Sequence, residues 1–129
     1  MKKPAATKDD RVVAIDTHLI QPPGPSSPVP TPHPFSGPID GGLHDKVLIN
    51  KKPAATVGSS ATNKPGHTPI GGSFVVVPTD HADIATGSTV VFINGKAAAR
   101  AGDKATTCND PIPLPVGTIV ANRQVLFGG

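Results

Sequence analysis

Short apolar runs alternate along the chain with segments rich in glycine, proline, serine and threonine. None of these runs continues with the spacing of an amphipathic helix, and runs of this length between turn-forming residues are typical of β-strands. We therefore predict an all-β protein of short strands and long loops, with no helix longer than about one turn. The predicted strands are residues 12–15, 47–50, 73–78, 90–94 and 125–129.

A five-residue motif recurs three times beside these strands. The motif Lys-Pro-Ala-Ala-Thr starts at Lys3 and again at Lys52, and the weaker form Lys-Ala-Ala-Ala-Arg starts at Lys96. Apolar strands ending in asparagine precede the second and third copies, and a similar apolar strand ends the chain. Repeats of this period indicate units that bury an apolar face only by packing on one another. We predict a single domain, residues 1–129, made of about three similar parts related by a pseudo-threefold axis.

Each repeat is followed by a side chain that can bind a metal. His18 and His67 each lie twelve residues after the second alanine of their motif, and Cys108 lies nine residues after the last alanine of the third. Equivalent loops around a threefold axis would bring these three side chains together. Two imidazoles and one thiolate are three of the four ligands of a tetrahedral zinc site.

His33 is the predicted fourth ligand, because it lies between Pro32 and Pro34, whose fixed φ angles lower the entropy cost of presenting a ligand. His44, beside a predicted strand, and His81, in a polar turn, are the alternatives. Three histidines and one cysteine leave no coordination position for water. The predicted zinc is therefore structural and not catalytic.

Residues 21–38 hold eight prolines and form an unusual segment. Proline neither continues a helix nor donates a hydrogen bond to a sheet, so we predict neither a helix nor a central strand here. An extended arm laid along the body is the expected structure. The same composition is found in ligands of proline-binding modules.

The composition excludes several classes of function. The formal charge is +3, but the basic residues are scattered and the chain has four Phe, no Trp and no Tyr, so nucleic-acid binding is not expected. A single cysteine excludes an intrachain disulfide and is compatible with a reducing cytoplasm. No apolar segment follows the two N-terminal lysines, and no run is long enough for a transmembrane helix. We expect synthesis in the cytoplasm without a signal peptide.

Catalysis is not expected either. A cysteine hydrolase would need Cys108 as an activated nucleophile, and no predicted helix N-terminus lowers its pKa. The chain is also too short for a deep substrate cleft. A metal-dependent hydrolase would require an open coordination position, which the predicted ligand set does not leave.

The sequence Ile-Asn-Gly-Lys-Ala-Ala-Ala-Arg-x-Gly-Asp, followed by the cysteine, resembles the PAAR-repeat family, and the likeness extends over nearly the whole chain. The second repeat departs from this pattern, with Thr-Val-Gly-Ser in place of Arg-x-Gly-Asp. The resemblance implies a small cone with a blunt triangular base and a sharp tip that is pinned by zinc. Carried over by position, the ligands would be His18, His67, Cys108 and, less directly, His33.

The resemblance also implies partners and a location. Members of this family cap a trimeric β-helical spike protein, VgrG-like, in contractile injection systems such as type VI secretion systems and phage-like or extracellular particles. They help to pierce the target membrane, are delivered outside the cell or into the target cell, and some carry effectors. This chain would be a bare tip without a toxin domain. The alternative function is a zinc-stabilised adaptor that binds an effector or a proline-recognising partner through residues 21–38.

Overall fold

A computed structural model describes residues 2–129, and this part of the chain contains strands and no helix. The all-β prediction is confirmed. The strands are β1 Lys3–Pro4, β2 Arg11–Gln21, β3 Val29–Gly41, β4 His44–Ile49, β5 Lys52–Ala54, β6 Ser60–Thr62, β7 Ser73–Phe74, β8 His81–Ile84, β9 Phe92–Ile93, β10 Lys96–Ala97, β11 Lys104–Thr107, β12 Leu114–Val120 and β13 Leu126–Phe127.

Seven strands form one sheet in the order β12-β11-β8-β6-β3-β2-β7, and β12 also pairs with β2. That second pairing closes six of the strands into a small barrel. The remaining strands form three two-stranded sheets, β4-β5, β9-β10 and β1-β13, which for their common shape are all called hairpins below. A short turn joins the strands of the first two, whereas β1-β13 pairs the two ends of the described chain, so β13 serves the first repeat as β4 and β9 serve the second and third.

The three repeats meet in a ring of backbone hydrogen bonds. The amide of Ala6 donates to the carbonyl of Ala99 (3.0 Å), Ala99 donates to Ala55 (3.0 Å), and Ala55 donates to Ala6 (3.1 Å). All three alanines are fully buried. A side chain larger than a methyl group would push the backbones apart at this point, which explains why each repeat carries adjacent alanines. The ring confirms the predicted pseudo-threefold arrangement.

A four-residue turn follows each alanine pair and is also repeated around the axis. The first amide of the turn donates to the side chain of the fourth residue: Thr7 to Asp10 (2.8 Å), Thr56 to Ser59 (3.0 Å) and Arg100 to Asp103 (2.8 Å). The second repeat therefore makes the same turn with a neutral Thr-Ser pair. Its departure from the Arg-x-Gly-Asp pattern changes the charge and preserves the geometry.

The third residue of each turn has a positive φ, which is 73° at Asp9, 93° at Gly58 and 85° at Gly102. Only glycine adopts this conformation without steric cost. We expect Asp9→Gly to raise the free energy of unfolding by about 0.5–1 kcal/mol and Gly102→Ala to lower it by about 1 kcal/mol, both measured by urea denaturation. The exposed Asp9–Lys52 ion pair (3.7 Å) adds little to this balance. A loss of stability in Asp9→Gly would contradict the view that the positive φ at this position is strained for a non-glycine residue.

Apolar side chains form one cluster on each side of the alanine ring. The first cluster contains the second alanine of each repeat, the barrel interior and Cys108. The second contains the preceding alanines with Ile49 and Ile93, and Phe127 packs against it. Alternate residues of an extended chain face opposite sides, so neighbouring alanines belong to different clusters. The hairpins and Cys108 consequently lie on opposite sides of the ring.

The proline-rich segment is not a separate arm. Residues 29–38 belong to β3 and pair with β2 along ten consecutive positions. As predicted, they are not a central strand, because β6 pairs with β3 only at Ile39 and Gly41 and the other edge of residues 29–38 has no strand partner among the described residues. The strand prolines recur at every second residue, so the nitrogens that cannot donate all face away from β2. Ser36 occupies the same alternate positions as the prolines. Its amide faces away from β2 and donates to Asn63 Oδ1 (2.9 Å). The intervening residues remain free to bond with β2.

Other strand boundaries also differ from the prediction. The run at residues 12–15 is part of the eleven-residue β2, whereas the predicted strand 73–78 is confined to Ser73–Phe74. Strands β1, β3, β5, β6, β8, β10, β11 and β12 were not predicted. His81, predicted in a turn, is the first residue of β8.

Candidate metal centre

Strands β2 and β3 place two histidines and a carboxylate on one buried face. His18 pairs with Thr31 and Asp16 pairs with His33, so the three ionisable side chains project to the same side of the ribbon. All three are buried. The prediction that His18 is presented by a loop was wrong, because it lies in β2 and strand pairing holds it.

His67 does lie in a loop, between β6 and β7, and Asp80 fixes that loop. The backbone amide of His67 donates to Asp80 Oδ1 (2.9 Å), as does the side-chain amide of Asn63 (3.2 Å). A Cβ on Gly66 would come within 2.9 Å of the same carboxylate, so glycine is required for this close approach. The imidazole of His67 is thereby directed at β2 and β3.

Cys108 directly follows β11, and its neighbours tie it to β2. The amide of Thr17 donates to Asn109 Oδ1 (2.7 Å), and the amide of Asp110 donates to the carbonyl of Thr17 (2.8 Å). These bonds hold the buried thiol beside Asp16, with Sγ 3.5 Å from Oδ2.

The three imidazoles surround a common point. The ring centroids of His18 and His67 are 4.9 Å apart, and that of His33 is 5.7 Å from each. Rings bound through nitrogen to one tetrahedral zinc would have centroids about 5 Å apart. Among the described residues, Nε2 of His18 and Nε2 of His33 are buried without a hydrogen-bond partner. Buried polar atoms rarely lack a partner, so these two nitrogens are suited to bind a metal ion.

The outer nitrogens of two of these rings have partners that set the tautomer. Nδ1 of His18 lies 3.3 Å from Asp110 Oδ2, and Nδ1 of His33 lies 2.9 Å from the carbonyl of Thr31. Both acceptors require a proton on Nδ1, which leaves the lone pair on Nε2 for an ion. Nε2 of His67 lies 2.9 Å from Asp16 Oδ2.

Burial controls the protonation of two of the candidate ligands. It lowers the pKa of His18, against the opposing effect of Asp110, so the neutral metal-binding form of the imidazole is favoured. Burial, together with the charge of Asp16, raises the pKa of the Cys108 thiol to about 11. Without a cation the thiol therefore keeps its proton at neutral pH, and metal binding must release it.

A cavity of about 360 Å³ borders the centre between β3 and the loop that carries His67. Both His33 and His67 contribute to its wall. A metal site needs an entry route, and this cavity adjoins two of the candidate ligands.

Three of the four predicted ligands lie close enough to share one metal ion. Donor atoms of His18, His67 and Cys108 lie within 4.8 Å of one another, together with an oxygen of Asp16. His33 does not belong to that set of four, although its ring adjoins two of them. Sequence reasoning missed Asp16. The available signal was its spacing of two residues from His18, which puts both on one face of a strand.

The two alternative histidines lie away from this cluster. His44 is in hairpin β4-β5, and its Nε2 lies 3.0 Å from Thr56 Oγ1. His81 is exposed and pairs with Asp83 on its own strand (3.1 Å).

Comparison with known proteins agrees with this architecture. The family described as PAAR motif matches residues 29–114, two thirds of the chain. No curated protein and no solved structure matches the chain. The matched region contains two copies of the alanine motif, His33, His67 and Cys108. The protein belongs to the PAAR motif family.

Proposed function

We propose that this protein is the structural tip that caps the trimeric β-helical spike of a contractile injection system and helps it to pierce a target membrane. Membership of the PAAR motif family implies a spike-tip protein. The observation that carries the proposal is the cyclic alanine ring. It lets one asymmetric chain present three equivalent hairpins to a partner with threefold symmetry.

The hairpins supply the surface for that contact. On each hairpin one apolar side chain points into the second cluster and the neighbouring one points outward. The outward residues, Leu48, Phe92 and Leu126, are 58%, 60% and 47% exposed. Exposed apolar strands are an aggregation hazard unless a partner covers them. Stacking on the last turn of a trimeric β-helix would cover all three.

At the other side of the ring, the proposed role of the metal is mechanical. His18, His33, His67 and Cys108 come from β2, β3, the β6-β7 loop and the residue after β11, so one ion would tie four distant segments together. This donor set, two or more imidazoles with a thiolate, suits zinc. With all positions filled by protein, the ion would resist splaying of the tip under load and would perform no catalysis.

The described residues contain no helix able to span a membrane. We propose that contact with the target membrane is transient and is driven by the spike, and that the protein reaches its target outside the producing cell on that spike.

Substitution of the outward hairpin residues tests the capping role. We expect Leu48→Asp and Phe92→Asp together to weaken binding to the trimeric spike protein encoded in the same genome by more than about tenfold, because charged groups would be buried in the contact. Size-exclusion chromatography with mass measurement should give one wild-type chain per three spike chains. The matched control is Val77→Asp, an 81% exposed apolar position beyond β7. An equal loss of spike binding in the double variant and in Val77→Asp would contradict a contact made through the hairpins.

A second candidate, an adaptor that binds an effector, is favoured by the exposed prolines of β3. Pro30, Pro32 and Pro34 project from the face opposite His33. Replacing these three by threonine keeps strand propensity, whereas deletion would remove a strand of the barrel. Under the adaptor proposal this variant loses effector binding and still caps the spike.

A further inference from the structure

Charged residues are distributed unevenly along the chain. All 12 Lys and Arg residues and all 9 Asp and Glu residues lie outside three segments, residues 17–39, 65–79 and 111–122. These three, called the uncharged segments below, also contain 14 of the 16 prolines. About a quarter of the residues of a typical globular domain are charged, so three such stretches in one chain call for a physical reason.

The fold gathers the uncharged segments around the candidate metal centre. The first contains His18 and His33, the second contains His67, and the third directly follows Asp110, which contacts His18. Strand β7 of the second segment pairs with β2, and the ring centroid of Phe74 lies 5.8 Å from that of His18. The hairpins, on the opposite side of the alanine ring, carry the exposed charged residues Asp45, Lys46, Lys52 and Lys96.

Several aliphatic side chains of the uncharged segments are exposed. The amide of Val75 donates to the carbonyl of Leu19 (3.1 Å), so the chain continues along β2 beyond β7, and Val76 and Val77 follow. Because no ionic group accompanies these side chains, moving them out of water carries no cost of desolvating a charge. The exposed aliphatic residues around the centre are Val29, Ile70, Val75, Val76, Val77 and Ile112.

The backbone at this end is poor in free hydrogen-bond donors. Proline has no N–H, and 11 of the 14 prolines in the uncharged segments are exposed. Pro30, Pro32 and Pro34 lie on the free edge of β3, where other residues would present unpaired N–H groups. An unpaired N–H is costly in an apolar medium. The carbonyls that remain can accept hydrogen bonds from interfacial water.

Other classes of partner fit this surface less well. Anionic lipids and nucleic acids are bound through Lys and Arg, which the uncharged segments lack. Protein interfaces are enriched in exposed aromatic residues and Arg. The uncharged segments contain only two aromatic residues of this kind, Phe35 and Phe74, and neither is exposed. A neutral lipid surface is the partner that requires none of these groups.

We propose that the uncharged segments form a lipid-binding surface, through which the protein binds the interface of a bilayer of zwitterionic phospholipid. The inference rests on the tip role proposed above. It adds an affinity of the protein itself for neutral lipid, which a tip driven only by the spike does not need. The exposed aliphatic residues are few, so binding is shallow and reversible.

Flotation of the full chain with phosphatidylcholine vesicles tests this surface. We expect the wild type to bind with an affinity that does not change with salt, because no exposed charges take part. Vesicles that contain anionic lipid should bind it no more tightly. The double variant Val76→Asp with Val77→Asp should lower the partition coefficient by more than about tenfold, because two carboxylates would have to enter the interface. The matched control is Leu48→Asp with Phe92→Asp, which places the same two charges on the hairpins and should bind vesicles as the wild type does.

Spike binding separates this inference from the proposed function. Val76→Asp with Val77→Asp should still cap the spike, which also shows that the variant folds. If it does not fold, Ile70→Asp with Ile112→Asp takes its place, with the same expected loss. The lipid-binding surface is overturned, and the capping role left standing, if the wild type does not bind vesicles, binds only anionic ones, or is matched by equal losses in the valine and hairpin variants. Failure of the wild type to bind the spike would instead overturn the capping role.

Discussion

Replacing Cys108 by serine, or His67 by alanine, is expected to abolish tight zinc binding and to remove most of the metal-dependent stability of the protein. The thiolate and the imidazole are direct ligands in the proposed centre. At a free zinc concentration 100-fold above the Kd, binding adds about 2.7 kcal/mol to the free energy of unfolding. The variants should lose at least this amount under zinc-saturated conditions. Metal analysis of the purified proteins and thermal denaturation with and without chelator measure both effects.

His81→Ala is the control for these variants, because this histidine is exposed and lies outside the cluster. It should bind one zinc per chain and unfold at the wild-type temperature. Chelator should lower the unfolding temperature of the wild type and of His81→Ala, and should leave Cys108→Ser unchanged. An equal response to chelator in all of them would show that the ion is bound elsewhere.

Replacing Arg100 by threonine is expected to cost about 3–5 kcal/mol, the effect of breaking a buried ion pair from one side. The guanidinium and carboxylate of Arg100 and Asp103 are both buried and form two side-chain bonds, of 3.1 and 3.0 Å. The same guanidinium donates to the carbonyl of Gly128 (3.1 Å). The variant would leave the Asp103 carboxylate buried without its counter-ion. Urea denaturation of the purified protein measures the loss.

The second repeat provides the matched control for this experiment. Its turn uses Thr56 and Ser59 where the third repeat uses Arg100 and Asp103, and the backbone bond is preserved. The double variant Arg100→Thr with Asp103→Ser therefore copies a solution already present in this chain. We expect it to be more stable than Arg100→Thr alone. A double variant as unstable as the single one would show that the lost contact with Gly128, and not the unpaired carboxylate, sets the cost.

The sequence was sufficient to predict the repeated parts of this fold. The alanine pairs, the Asn94-Gly95 turn and the apolar strands beside them are local signals, and the hairpins appear where these signals occur. By contrast, β6, β8 and β11 escaped prediction because each is at most four residues long and has an alanine among its inward residues, flanked by polar side chains. Ala61, Ala82 and Ala105 are buried, but alternation between alanine and polar residues is too weak a pattern to indicate a strand.

The candidate site was predictable only in part for a related reason. Offsets from the alanine motif identified His18, His67 and Cys108, since these offsets follow the repeat. The position of Asp16 depends on the pairing of β2 with β3. This pairing was not predicted, because the prolines of β3 are unfavourable for strand formation. Prolines confined to alternate positions exclude a strand partner on one edge of residues 29–38 and leave the other edge free to pair with β2.

The hairpin formed by β1 and β13 has a consequence for how the molecule is made. Lys3 pairs with Phe127, so the two partners lie 124 residues apart in the chain (127 − 3). The first repeat cannot be completed until both segments have left the ribosome. Formation of the threefold core is expected to be cooperative and slow, as is usual when the partners in a sheet are far apart in the chain.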